Sequence, residues 1–364
     1  MQKKFYKYMD LKTVIELEKI KKPLIVCDSF IKDSFLIDYL NSLDIQYSIF
    51  CDFKPNPLYE DVIKGIEVLE KNECDFVISI GGGSAIDVAK CINLFSNLDS
   101  SINYLKQEFN GVKFKHLAIP TTAGTGSEST RYAVIYYNGQ KQSVMHTSII
   151  PDYAILDGKM LETLPLYQKK STILDALSQA IESYWSVNST EESKELSKKA
   201  ITLILDNIDD YIFKNDNSVN DVMIKASNLS GEAINITQTT AAHAMSYKLT
   251  SLYKIPHGQA VFTTLPYIFE YMVDNLDNIT DKRGKEYLKN TFKELTILFN
   301  CKDEKSAVEM LKKLFESFGF EKIIPTEEEL DILVNSVNPI RLSNNPVILD
   351  KNNIEKIYIK SLER

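Results

Sequence analysis

Apolar residues recur along this chain in two different rhythms. In the first, short apolar runs alternate with stretches of helical period. Pro23–Asp28, Tyr47–Phe50, Phe76–Ile80 and Leu117–Ile119 are short, largely apolar runs, the pattern of buried strands. Between them, Leu58–Leu69 and Ala85–Leu94 space their apolar residues as helices do. Strands alternating with helices predict a parallel sheet covered on both sides. Tyr132–Tyr137, Ser143–Met145 and Tyr153–Asp157 predict further strands, and Asn138-Gly139 supplies hairpin chemistry between the first two.

Beyond residue 158 the rhythm changes to long helical patterns, at 171–186, 192–213, 219–236, 239–253, 259–273 and 285–299. The expected architecture is an α/β N-terminal domain with a parallel sheet, residues 1–157, followed by an all-α C-terminal domain, residues 158–364. No Gly/Ser/Pro linker marks the junction, which predicts halves packed tightly with a cleft between them. The length of 364 residues suits two domains of ordinary size.

Five of the 13 glycines fall in two short loops. Gly81-Gly82-Gly83-Ser84 follows a predicted strand and opens a predicted helix. Residues without Cβ let the backbone approach a bulky anion, and a helix N-terminus offers free N–H groups. The loop therefore reads as a pyrophosphate cradle, or as a tight strand–helix turn. It is neither GxGxxG nor a Walker loop. The second loop, Pro120–Glu128, also follows a strand and carries four hydroxyl side chains, suited to nucleotide oxygens. Ligands of open parallel sheets sit at the carboxyl ends of the strands, where both loops would lie. Asp28 ends its strand. A carboxylate there accepts from ribose hydroxyls and repels a 2′-phosphate, which favours NAD over NADP; it reads equally as an N-cap before Ser29.

Histidine is scarce: His116, His146, His243 and His257. His243, within a helical stretch, and His257, between Pro256 and Gly258, lie close enough in sequence to converge on one divalent cation. Asp175 lies in an otherwise apolar helical stretch, and a buried carboxylate needs a cation or several hydrogen bonds. Gln179 is one turn further on the same face. Glu182 is three residues beyond, either a supporting group or a solvated one. Asp175, His243 and His257 make a carboxylate and two imidazoles, suited to Fe²⁺ or Zn²⁺ with a position left open.

Composition narrows the remaining classes. Hydrophobic residues make up 44% of the chain and the net charge is −8, which argues against an extended nucleic-acid footprint. The five cysteines form no CxxC pair, so a disulfide framework is not expected and a cytoplasmic location is. No apolar run is long enough for a membrane span or a signal peptide.

Gly81-Gly82-Gly83-Ser84 with Asp87 and Lys90, the Pro120–Glu128 loop, Asp175 in Asp-Ala-Leu, and His243 with His257 together resemble the iron-containing (group III) alcohol dehydrogenases. Pro55-Asn56-Pro57, Pro151–Asp157 and Asn338-Pro339 extend the resemblance over nearly the whole chain. It implies the dehydroquinate synthase-like fold of that family, with a dinucleotide-binding first domain, a helical second domain and the metal in the cleft. By position it implies pyrophosphate binding at Gly82, Gly83 and Ser84, and cofactor contacts from Asp87, Thr121, Thr122, Thr125 and Lys141. It also implies metal ligation by Asp175, His243 and His257. Gln179 stands where the family usually has a fourth ligand, histidine; an amide oxygen is a weaker ligand, or holds a water. Tyr247 stands where the family often has another histidine near the substrate, and its phenol can donate a proton.

Leu174–Gln179, Ile181–Thr190, His243–Thr250 and Arg341–Val347 resemble the phosphonoacetaldehyde reductase branch. That implies a small anionic aldehyde substrate, and Lys248, Arg131, His146 and Arg341 are the candidate cations for it, each otherwise a solvated or structurally paired charge. The expected reaction is metal-assisted, NAD(P)H-linked reduction of that aldehyde, with His243 and Tyr247 at the catalytic centre and NAD(H) and Fe²⁺ as the favoured cofactors. A general short-chain or lactaldehyde dehydrogenase, a related sugar-phosphate cyclase retaining NAD, and a metal-deficient nucleotide-binding homologue are the rival readings. A homodimer is the default assembly.

Overall fold

In the computed structural model, which describes residues 2–362, the N-terminal strands are β1 (Lys3–Phe5), β2 (Pro23–Cys27), β3 (Ser48–Phe50), β4 (Phe76–Gly81), β5 (His116–Pro120), β6 (Tyr132–Tyr137), β7 (Gln140–Met145) and β8 (Tyr153–Ile155). Six of them form one parallel sheet in the order β1-β8-β5-β4-β2-β3. β2, β4 and β5 are buried at every position, which is why they read as largely apolar runs. Helices α1 (Asp10–Glu18), α2 (Phe35–Ser42), α3 (Tyr59–Lys71) and α4 (Gly83–Phe95) cover the sheet. Leu24, Val26 and Val77 share one core with residues of α3 and α4. Ile25, Cys27, Ile78 and Ile80 point the other way and pack with residues of α1 and α2, as the two-residue period of a strand requires.

β6 and β7 pair only with each other, as an antiparallel hairpin. Its turn residues Asn138 and Gly139 have φ of 51° and 71°, the pair of positive values a two-residue hairpin turn needs. β1 gave no signal in the sequence. Three residues, two of them lysine, become a strand only because β8 offers an edge.

A second unit begins at Pro165, the division falling between Leu164 and Pro165. Its helices are α5 (Leu166–Trp185), α6 (Glu191–Ile208), α7 (Asn220–Thr237), α8 (Ala241–Tyr253), α9 (His257–Asp274), α10 (Lys285–Leu298), α11 (Glu304–Ser317), α12 (Glu327–Ser336) and α13 (Lys351–Leu362). α5 is the hub, packed against α6, α7, α9 and α10. The pattern expected over 192–213 ends as an α-helix at Ile208 and continues as one π turn, Asp209–Phe213. The helix expected from 239 begins at Ala241, because its N-cap Thr240 takes φ −121° and ψ −139°, outside the helical region. His243 therefore lies in the first turn of α8, not mid-helix. α11, α12 and α13 were not anticipated, although each buries an apolar stripe. The five cysteines are free, and no helix among the described residues is long and apolar enough to cross a membrane.

Candidate metal centre and nucleotide loops

The metal candidates are assembled by α5, α8 and α9. α5 is almost wholly buried from Ile173 to Trp185 and yet carries Asp175, Ser178, Gln179, Glu182 and Ser183 there. Buried polar groups need partners, and most of these have one within the protein. Ser178 Oγ donates to the Leu174 carbonyl at 2.7 Å, Ser183 Oγ accepts from Thr237 Oγ1 at 2.9 Å, and Gln179 Oε1 accepts from Ser230 Oγ at 2.8 Å.

Glu182 is fully buried. Its Oε1 accepts from the Thr240 N–H (3.0 Å), the Thr240 hydroxyl (2.8 Å) and the Ala242 N–H (3.0 Å). It thereby caps the N-terminus of α8, satisfying donors that a helix start leaves unpaired. Its Oε2 bonds His243 Nδ1. That bond places the proton on Nδ1 and directs Nε2 away from Glu182. Nε2 is buried, finds no hydrogen-bond partner among the described residues, and lies 3.3 Å from Asp175 Oδ1.

His257 is the first residue of α9, with Pro256 as its N-cap. Its Nε2 lies 4.0 Å from the same Asp175 oxygen. Gly258 explains how close α9 comes to α5: a Cβ there would sit 1.9 Å from the Ser171 carbonyl oxygen and 2.9 Å from Asp175 N and Cβ. Only glycine tolerates that approach. The ring of Tyr247 lies parallel to that of His257, centroids 6.1 Å apart at 6°. The centre is dry on one side and reachable on the other: the side chains of Asp175 and His243 are 4% and 6% exposed, that of His257 37%.

One ligand atom from each of Asp175, His243 and His257 falls within 4.8 Å of the others. A tetrahedral cation with bonds of about 2.0–2.2 Å holds its ligand atoms about 3.3–3.6 Å apart, so a small closure suffices and the residues fit a divalent ion. The electrostatics agree. Burial pushes the His243 imidazolium down, but the carboxylates of Glu182 and Asp175 outweigh it and hold the group at about 9. An imidazole between two buried carboxylates is a site that asks for positive charge.

In the first unit, the glycine loop leaves β4 and becomes α4, with Gly82 as N-cap and Gly83 and Ser84 in the first turn. The Gly82 N–H donates to Asp28 Oδ2 at 3.2 Å. Asp28 directly follows the neighbouring strand β2, and burial raises its carboxyl. The second loop lies against the first. The Thr121 N–H donates to the Gly81 carbonyl at 3.0 Å. Thr122 packs beside Gly82, and a Cβ on Gly83 would sit 2.8 Å from Thr125 Cγ2. The loops thus approach as closely as missing side chains permit. Asp87 has both oxygens engaged, Oδ1 by Ser127 Oγ at 2.6 Å and Oδ2 by the Val134 N–H at 2.9 Å, so it braces the loops from within the protein. Lys141, on β7, lies within electrostatic reach of Asp87.

The four candidate cations are divided between the two units. Arg131 and His146 are neighbours at the open end of the hairpin, where the His146 N–H donates to the Arg131 carbonyl at 3.1 Å. The Arg131 Nε donates to the Tyr132 hydroxyl at 3.1 Å, and His146 Nδ1 is bonded to Ser148 Oγ at 2.7 Å. Lys248 is a half-buried residue of α8 and Arg341 an exposed one in the turn Pro339–Asn344, both in the second unit. Sequence reasoning left Glu182 open between support and solvent, counted Ser127 only among the hydroxyls of its loop, and missed Ser230. The available signal for Glu182 was its place two turns after Asp175 on one helix face, where a charged side chain demands an explanation.

Comparison with known proteins places these features in one family. Residues 6–158 match the model described as iron-containing alcohol dehydrogenase, and residues 169–362 match the C-terminal model of the Fe-containing alcohol dehydrogenase family. Aldehyde-alcohol dehydrogenase 2 of Entamoeba histolytica is 30% identical over 73% of this chain, which spans only 33% of that protein. The NADPH-dependent butanol dehydrogenase of Clostridium saccharobutylicum is 28% identical over 89% of this chain and 86% of its own. The structure of sulfoacetaldehyde reductase from Bifidobacterium kashiwanohense in complex with NAD⁺ superposes with a TM-score of 0.88 at 26% identity, covering 99% of this chain and 97% of that one. With both domain models matched and the ligand triad, the glycine loops and the parallel sheet in place, the chain belongs to the iron-containing alcohol dehydrogenase family.

Proposed function

We propose that this protein is a metal-dependent, NAD(P)H-linked dehydrogenase that reduces a small aldehyde to a primary alcohol. The observation that carries the reading is the convergence of Asp175, His243 and His257 on one point, with a buried carboxylate behind His243. A divalent cation bound there, Fe²⁺ or Zn²⁺, supplies Lewis-acid polarisation of a carbonyl oxygen, and the nicotinamide ring supplies hydride. The chain's own residues do the rest. Glu182 keeps the His243 proton on Nδ1. Gln179, held by Ser230, stands beside Asp175 as a weak fourth ligand or a water holder. The Tyr247 phenol, stacked on His257, returns a proton to the product oxygen. Gly82, Gly83, Ser84, Thr121, Thr122 and Thr125 receive the dinucleotide, and Asp28 favours NAD(H) by accepting from the adenosine ribose.

The best substrate reading is phosphonoacetaldehyde, giving 2-hydroxyethylphosphonate. It is supported by the adjacent Arg131 and His146 and the half-buried Lys248, cations suited to an anionic tail, and by the likeness to a reductase of another anionic two-carbon aldehyde. The test is NADH and NADPH oxidation by protein stripped and reloaded with Fe²⁺ or Zn²⁺, given phosphonoacetaldehyde, sulfoacetaldehyde, acetaldehyde and lactaldehyde in parallel. Metal-dependent turnover highest on phosphonoacetaldehyde supports the full reading. Preference for sulfoacetaldehyde keeps the anionic class and replaces the tail. Turnover on the neutral aldehydes alone removes the anionic assignment. Cofactor binding without turnover under any metal would sink the dehydrogenase reading.

A further inference from the structure

Lys90 lies on α4, two turns beyond the glycine loop, and is 0% exposed. Its ammonium donates to Ser127 Oγ (3.1 Å), the Thr130 carbonyl (2.8 Å), Thr130 Oγ1 (3.2 Å) and the Tyr132 carbonyl (2.8 Å). Every one of these acceptors belongs to the segment 127–132, which leads out of the second loop. Asp87, three residues earlier on α4, accepts hydrogen bonds from the Ser127 hydroxyl and the Val134 N–H. The Ser127 hydroxyl thus bridges a buried ammonium and a buried carboxylate. The Ser127 N–H in turn donates to Thr125 Oγ1 at 3.2 Å, and the Thr125 side chain is the group that rests on Gly83.

A buried ammonium is costly unless fully bonded and near opposite charge. Burial lowers the Lys90 group to about 8, with Asp87 and Glu128 opposing the drop. A methionine of similar length would fill the same volume without that cost, so packing alone does not call for lysine. The acceptors it gathers are the reason: they include the main-chain carbonyl of Thr130, which lies between the short turn Ser127–Ser129 and β6, and that of Tyr132, the first residue of β6.

We infer that Lys90 is a positioning residue for the cofactor, its ammonium fixing the 121–130 loop against Gly82–Ser84 at the spacing a dinucleotide requires. The inference rests on the dinucleotide reading of those loops. Binding of nucleotide, rather than the chemical step, then depends on Lys90, with Asp87 and Ser127 transmitting the constraint to Thr125. Its test uses the full-length, metal-loaded protein with Lys90→Met, Lys90→Arg and Ser127→Ala. NADH affinity is followed by fluorescence titration, kcat and KM for NADH by steady-state kinetics, and folding by circular dichroism.

Lys90→Met should raise the NADH dissociation constant about tenfold or more and lower kcat at saturating NADH by much less. Ser127→Ala, which removes the bridge while leaving both charges, should raise it about three- to fivefold. Lys90→Arg should recover part of the loss in Lys90→Met. Folded variants that bind NADH within twofold of the unaltered protein would overturn the inference, as would equal losses in kcat and affinity. Where Lys90→Met does not fold, Ser127→Ala decides. Failure of the unaltered protein to bind NADH or NADPH would instead remove the dinucleotide reading, and the inference with it.

Discussion

Replacing Glu182 by glutamine exchanges one oxygen for an NH₂ group and leaves size and shape alone. The oxygen that caps α8 can still accept from Thr240 and Ala242. The amide then turns its NH₂ toward His243 Nδ1, where two donors would meet. In the neutral imidazole that ligation requires, relief comes from placing the proton on Nε2, the atom that faces Asp175. A protonated Nε2 cannot bind a metal, so ligation must reverse that shift. Loss of a supporting hydrogen bond of this kind weakens metal binding about 10–100-fold, or about 1.4–2.8 kcal/mol at a factor of ten per 1.4 kcal/mol. Glu182→Ala is different. It strands the Thr240 N–H, the Thr240 hydroxyl and the Ala242 N–H, and each stranded buried donor costs about 1–3 kcal/mol. The assay pairs a chelator competition for Zn²⁺ or Fe²⁺ with thermal unfolding of the metal-free protein. Glu182→Gln should lose metal affinity and, with one of the carboxylates that hold the His243 imidazolium gone, part of the apoprotein's stability, whereas Glu182→Ala should also strand the capping donors and melt lower still. A Glu182→Gln variant with unaltered metal affinity would refute the assignment of the Nδ1 proton and of the support it gives.

Other consequences follow from the same geometry. Gly258→Ala puts a methyl 1.9 Å from the Ser171 carbonyl oxygen; since overpacking costs about 1–3 kcal/mol, the variant should melt lower and retain less metal after dialysis. Asp28→Asn keeps an acceptor for the Gly82 N–H but drops the charge, so the ratio of kcat/KM for NADPH over NADH should rise about tenfold, ~1.4 kcal/mol; an unmoved ratio rejects Asp28 as the ribose acceptor. Metal uptake should depend on pH. The metal-free protein holds His243 protonated up to about 9, and a cation must displace one proton from it. Apparent affinity should therefore rise about tenfold per pH unit from 6.5 to 8, as one-proton competition requires, and a flat profile would mean that His243 enters no ligand set. For folding of the metal-free protein the sign is opposite. A pKa raised above the unfolded value adds stability that is complete below about 6.5 and is lost as pH climbs through about 9, which a melting series across that window would detect.

Much of this architecture was written locally. β2, β4 and β5 are buried on both faces, so their apolar residues could not alternate with polar ones and the parallel sheet announced itself. Two glycine loops after strands, a carboxylate in an apolar helix and two of only four histidines near one another were enough to single out the candidate nucleotide loops and the candidate metal centre. Each of those signals is a residue type out of place for its neighbourhood. Tertiary structure decided the rest, because it depends on which distant atoms meet. β1 exists only because β8 presents an edge. Gln179 bonds Ser230, 51 residues away, and Glu182 caps a helix starting 59 residues later while fixing the proton of His243. Lys90 reaches across to a loop some 40 residues on. A hydrogen bond of this sort leaves no periodicity in the sequence. What the chain alone displayed was the inventory of chemistry; the fold determined which group supports which.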